Sequence, residues 1–133
     1  IESASEEMQQ KFDCGEEDEL IVMERIRTAN DEPVVYCSDR ILRKHLPPEF
    51  SHQEGSLFRI LENYSSIRVT YAVSYIEPLG YHDYISPLLE CETESALLVL
   101  KQMHYDENDR PVLYSVNYFK SNKFSFHVLR KRI

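Results

Sequence analysis

Tryptophan is absent from this chain, and glycine is reduced to three residues, Gly15, Gly55 and Gly80, among 133. So few glycines, so widely spaced, cannot build a phosphate-cradling loop, and no G-x-S-x-G turn is present to lift a nucleophilic serine. Positive charge is also short, with 15 Lys and Arg against 23 Asp and Glu and a formal charge of -8. A surface that neutralises many phosphates needs the opposite balance, so this chain by itself is not expected to hold DNA. The three cysteines, Cys14, Cys37 and Cys91, are odd in number and dispersed, with no Cys-x-x-Cys spacing for a metal clamp or a redox pair. That usage fits a reducing, cytoplasmic compartment. Apolar runs such as Leu97 to Leu100 are far too short to span a bilayer, and no basic segment precedes an apolar stretch near the start, so no membrane role is expected. The five histidines, His45, His52, His82, His104 and His127, stand at neither i, i+4 nor H-x-E spacing. No metal and no other cofactor is expected. Only a catalytic set assembled from distant residues stays open to an enzyme reading.

What remains is enough for one domain over 1–133, since 42% of the residues are hydrophobic. The chain begins at Ile1 without Met, which suggests a piece excised or processed from a longer protein. Ser3 and Glu6 have capping-box spacing before a short helix to Phe12, with Gly15 placed to end it in the left-handed region. The acidic run Glu16 to Glu19 reads as a solvated loop. Leu20 to Arg27 alternates as a strand, and a turn at Asn30 to Pro33 leads into a second strand, Val34 to Ser38, forming a hairpin. A short helix is expected around Ile41 to His45, stopped by Pro47 and Pro48. Ser56 caps another helix with Leu57, Ile60, Leu61 and Tyr64 on one side. Ile67 to Glu77 alternates as a long strand closed by Pro78 and Gly80, with Ile67, Val69, Tyr71, Val73 and Tyr75 on a single face. A short helix follows near Asp83 to Leu89. The strands Ala96 to Tyr105, Val112 to Phe119 and Phe124 to Lys131 complete an antiparallel meander. The fold class is α+β, an antiparallel sheet flanked by short helices.

Arg25 and Arg27 are the pair with chemistry. At i, i+2 on a strand they leave one face beside Ile21 and Met23, a largely apolar face on which two cations call for an anion. An edge strand with both guanidiniums in solvent is the plainer alternative. Gly55 and Ser56 open a helix whose first amides lack partners and whose dipole favours negative charge. If Ser56 and the amides of Leu57 and Phe58 approach the arginines, a phosphate, phosphonate or carboxylate gains several charge-assisted hydrogen bonds. Ser56 as a simple N-cap is the competing reading.

Taken together, the segment from Glu24 to Arg27, the turn Pro33, the helix start Gly55 to Phe58 and the ending from Pro111 to Ser115 followed by Tyr118 to Arg132 resemble a UTRA domain. This is the effector-binding domain of the HutC-type branch of GntR-like transcription regulators. The resemblance implies a fold shared with chorismate lyase, a homodimer formed by this domain, and a winged-helix DNA-binding domain preceding Ile1. In members that sense phosphorylated sugars, strand arginines and the helix-start serine hold the phosphate, and these match Arg25, Arg27 and Ser56. The aromatic two places after that serine, often Tyr, is Phe58 here, leaving only backbone amides such as those of Leu57 and Phe58 to donate. Carboxylates that bind sugar hydroxyls are replaced by Cys37 and Leu113, and the strand-end tyrosine by Phe119, followed by Lys120. Losing those acceptors argues against a hexosamine phosphate, because its hydroxyls would be buried unpaired. The implied function is a repressor's sensor for a small anionic metabolite, catalysing nothing. A lyase on the same fold, which needs a positioned acid or base in the pocket, and a pure dimerisation module with a dry core are the alternatives.

Overall fold

The structure, a computed structural model, describes residues 1–50 and 56–124. Its strands are β1 (Glu2–Ser3), β2 (Glu19–Ala29), β3 (Glu32–Leu42), β4 (Val69–Leu79), β5 (Leu97–Asp106) and β6 (Pro111–Lys120). They form one antiparallel sheet in the order β1-β2-β3-β6-β5-β4. Three helices, α1 (Glu6–Phe12), α2 (Leu57–Ser65) and α3 (Ile85–Leu88), and a 3-10 turn at Arg43–His45 lie between the strands. An antiparallel sheet with short helices is the architecture that the alternation of apolar and polar residues required.

Strand periodicity divides the sheet into two faces. On one, Leu20, Leu42, Val99, Met103, Tyr114 and Val116 pack with Met8 and Phe12 of α1. On the other, Met23, Ile41 and Leu113 pack with Leu46, Val112 and Leu61 of α2. A further cluster joins Tyr36 and Leu97 to Ile85 and Leu89 in and after α3. The β2–β3 hairpin closes through Asn30 and Asp31, which have φ of 52° and 63°. Two consecutive positive values are the type I′ pattern, whose twist matches the flanking strands.

Several elements differ from the sequence expectation. The N-cap of α1 is Ser5, whose hydroxyl accepts from the Met8 amide at 3.3 Å, while Ser3 is drawn into β1 opposite Glu19. The helix ends at Asp13, itself left-handed with φ 51°, two residues before Gly15. β3 runs four residues past Ser38 to Leu42, so the expected helix at Ile41 shrinks to one 3-10 turn. Pro78 lies inside β4 opposite Leu98, which an edge strand tolerates because its outer N–H needs no partner. α3 keeps Pro87 in its first turn, where the missing N–H costs nothing. The expected single apolar face from Ile67 to Tyr75 is split by a register shift between Val69 and Tyr71: Ile67 and Val69 pack on the α2 side, whereas Tyr71, Val73 and Tyr75 lie on the other face and are 43%, 41% and 64% exposed. The expected strand Phe124 to Lys131 lies outside the described residues apart from Phe124, as does Gly55.

Candidate functional site

The α2 side of the sheet carries a ladder of paired side chains. Arg27 stands opposite Val35, which faces Phe119. The next rung is Arg25, Cys37 and Asn117, and the one after it Met23, Asp39 and Ser115. Then come Ile21, Ile41, Leu113 and His104. Directly paired residues share a face, so these rungs form a floor, and α2 lies across part of it. Between the two is a cavity of about 850 Å³, lined on the helix side by Ser56, Leu57, Phe58 and Ile60, with Phe50 and Phe124 also among its lining residues.

Leu61, fully buried, fastens α2 to the floor beside Met23, Ile41 and Leu113. Its hydrophobic spacing places the helix over the sheet, and the Ser65 hydroxyl donates to the His45 carbonyl at 2.7 Å to hold its far end. The N-terminal end therefore meets the cavity. Ser56 occupies the N-cap position with φ -80° and ψ 126°, but its side chain makes no capping hydrogen bond. The simple-cap reading fails on that point: Ser56 lines the cavity and the first-turn amides receive no acceptor from its side chain.

Arg25 and Arg27 both line the cavity, as their spacing predicted. Arg25 Nη2 lies 3.7 Å from Asp39 Oδ2, with the arginine side chain 51% exposed, so the pair contributes little stability, about 0 to 1 kcal/mol. Arg27 has no carboxylate partner among the described residues. Cys37 is buried between them, and burial pushes its thiol up, with Arg27 and Arg25 opposing the shift. The thiol stays protonated at neutral pH and is a small lining group there. Leu57, Phe58, Leu113 and Phe119 also line the cavity, and Phe119 stacks edge-on with Phe124 at 4.9 Å between centroids.

Lys120 is placed differently. It follows Phe119 by one residue, which turns it to the opposite face of β6. There it is buried, its ammonium 2.9 Å from Glu32 Oε1, and this hydrogen bond holds the Glu32 carboxyl below its usual range. Lys120 is not among the lining residues.

Five polar lining residues escaped the sequence reading: Thr28, Asp39, His104, Ser115 and Asn117. Ser115 and Asn117 share the parity of Leu113 on a strand that was recognised, so alternation alone could have found them. Asp39 was missed because the expected second strand stopped at Ser38. The end of the cavity near Cys37 and Leu113 is consequently more polar than those two residues implied. His104 packs edge-to-face on Phe58, 5.5 Å between ring centroids. Burial pushes its imidazole down and the nearby Asp39 partly restores it, so the ring is neutral at neutral pH. Chemically, the site offers two guanidiniums, a hydroxyl and helix amides to an anion, with one carboxylate nearby.

Known proteins share this architecture. The GntR-family transcriptional regulator from Enterococcus faecalis superposes with a TM-score of 0.87 at 25% identity, covering 96% of this chain and 93% of that one. The effector domain of PhnF from Mycobacterium smegmatis also gives 0.87, at 17% identity, covering 98% and 81%. The fold is that of the effector domains of GntR-family transcription regulators. Residues 1–125 match the UTRA domain family, and the chain belongs to that family. HTH-type transcriptional repressor NagR of Bacillus subtilis is 23% identical over 129 residues, which cover 92% of this chain and 51% of NagR. The chain thus spans about half the length of that curated relative.

Proposed function

We propose that this chain is the sensing domain of a bacterial transcription repressor, binding a small anionic metabolite and altering, through its own conformation, DNA binding by a separate winged-helix domain that precedes Ile1. The observation that carries this reading is the convergence of Arg25, Arg27 and the uncapped N-terminus of α2, with the Ser56 hydroxyl, on one cavity. An anion seated there accepts from two guanidiniums, a hydroxyl and helix amides at once, the arrangement that favours phosphate, phosphonate or carboxylate groups. The effector leaves unchanged, and the domain works in the cytoplasm. The net charge of -8 keeps DNA contact with the other domain.

A second copy of the chain covers β4. Among the described residues this strand is an edge of the sheet with large apolar side chains in solvent, among them Tyr71, Val73, Tyr75 and Ile76, and long apolar edges are otherwise a liability. No helix among the described residues is long and apolar enough to cross a membrane.

The anion reading is tested by thermal unfolding in a series of phosphorylated sugars, phosphonates and carboxylates. A ligand at about 100 times its dissociation constant adds about 2.7 kcal/mol of stability. That gain should vanish in Arg25→Ala and Arg27→Ala, and a gain undiminished in both variants would remove the anion site.

A further inference from the structure

Asp39 is the feature of the cavity that anion binding alone leaves unexplained. It is the one carboxylate among the described lining residues, its side chain only 15% exposed, and it sits a single rung from Arg25. Its nearest cation is Arg25 at 3.7 Å, well beyond the span of a charge-assisted hydrogen bond, about 2.7 to 2.9 Å. A carboxylate has roughly four acceptor positions, and this contact saturates none of them. An anion arriving at Arg25 competes with Asp39 for the same guanidinium and repels it. A ligand that brought only negative charge would leave a half-buried carboxylate poorly compensated, which is costly.

The charge of the lining points the same way. Two arginines and one aspartate leave a formal plus one, since the Cys37 thiol is protonated and the His104 ring neutral. A phosphate monoester approaching two negative charges exceeds that. The same group carrying an ammonium matches it. Ser115, directly opposite Asp39, adds a hydroxyl that can accept from the same ammonium, and no second cation lies on this rung. β3 is paired on both sides, by β2 and β6, so the step from the arginine rung to the Asp39 rung is fixed at two residues, about 7 Å.

We infer that the cavity is built for a zwitterionic effector, with its anionic group on Arg25, Arg27 and Ser56 and an ammonium or comparable cationic donor on Asp39 and Ser115. This rests on the anion-binding reading above. The probes that separate the two claims are 3-aminopropyl phosphate, whose extended chain suits that step, and n-propyl phosphate, its isostere without the amine. Titration calorimetry on the whole chain at pH 7 should find the amine-bearing probe bound at least about tenfold more tightly, the lower range for one charge-assisted hydrogen bond. In Asp39→Asn, nearly isosteric, the preference should disappear while n-propyl phosphate binds as well as before or better, because its repulsion is gone. Equal affinity of both probes for the unaltered chain, or a preference kept by Asp39→Asn, overturns the zwitterion inference and leaves the anion site standing. Failure of both probes to bind overturns the inference together with the anion site.

Discussion

Leu61→Ala tests whether the cavity depends on how α2 is fastened. Leu61 is fully buried, and its neighbours Ile41 and Leu46 are themselves 0% and 1% exposed. Of the other α2 side chains, Leu57 and Ile60 are only half-buried and the rest mostly face solvent. Truncating a buried leucine costs about 2 to 5 kcal/mol, the spread reflecting how far the site collapses. Here two of its walls belong to β3 and the segment just after it, which are tied to the sheet, so collapse is limited and we expect about 3 kcal/mol. The second consequence is functional: with its anchor gone, α2 no longer holds Ser56 over Arg25 and Arg27, and stabilisation by anions should fall with it. Urea unfolding followed by circular dichroism at fixed protein concentration measures the first, and thermal unfolding with and without 3-aminopropyl phosphate the second. Tyr64→Ala, by spacing on the same side of the helix as Leu61 but 51% exposed near its C-terminal end, is the control and should change stability by less than about 0.5 kcal/mol. A loss below about 1 kcal/mol for Leu61→Ala, with the ligand response intact, would refute this account of how the site is held.

Burial pushes both His45 and His104 down from the ordinary 6.5, and His45 Nδ1 is buried without a hydrogen-bond partner among the described residues. A histidine depressed in the folded state contributes stability above its unfolded value and loses it below, so thermal stability should decline as pH falls from 6.5. His45→Gln should flatten that decline in a melting series. Tyr75→Glu and Ile76→Glu place charge on the exposed edge strand and should shift the mass measured by light scattering from dimer to monomer without lowering helix or strand content. Asp31→Gly relieves a positive φ in the β2–β3 turn and should stabilise the fold by about 0.5 to 1 kcal/mol in urea unfolding. Incubation with chorismate should release no pyruvate; release that depends on Asp39 or His104 would favour a lyase.

Alternation made most of the sheet readable. Arg25, Arg27 and Met23 fall on one face because a strand has no choice, and Ser56 follows from the start of an amphipathic helix. What failed did so at boundaries. Residues Asp39 to Leu42 have no strong strand signature, and only their pairing with Ile21 and Leu113 on both sides extends β3 through them. That extension is what brings Asp39 into the cavity. Lys120 illustrates the opposite error, a basic residue near an expected anion site in sequence but one residue out of phase, and in a strand one residue is the other side of the sheet. The cap of α1 moved from Ser3 to Ser5 because Glu2 and Ser3 pair with β2, a tertiary contact that local spacing does not encode.

The same division between sheet and helix bears on signalling. Arg25, Arg27 and Asp39 are carried by strands paired on at least one side with long partners, whereas Ser56 is carried by a nine-residue helix with one fully buried side chain. A ligand that bridges them ties the helix to the sheet. Its influence on a distant site is limited to the difference in its affinity for the two placements of α2, a coupling of about 1 to 3 kcal/mol in typical cases. Contacts confined to the sheet, however tight, contribute nothing to that difference. It follows that Arg27→Ala should weaken binding, while Ser56→Ala, removing the contact that spans sheet and helix, should weaken coupling more than binding. If the proposed sensing role holds, the change in operator affinity on adding a saturating effector should therefore be smaller in Ser56→Ala within the intact regulator. An undiminished change in Ser56→Ala would mean that the signal does not pass through α2.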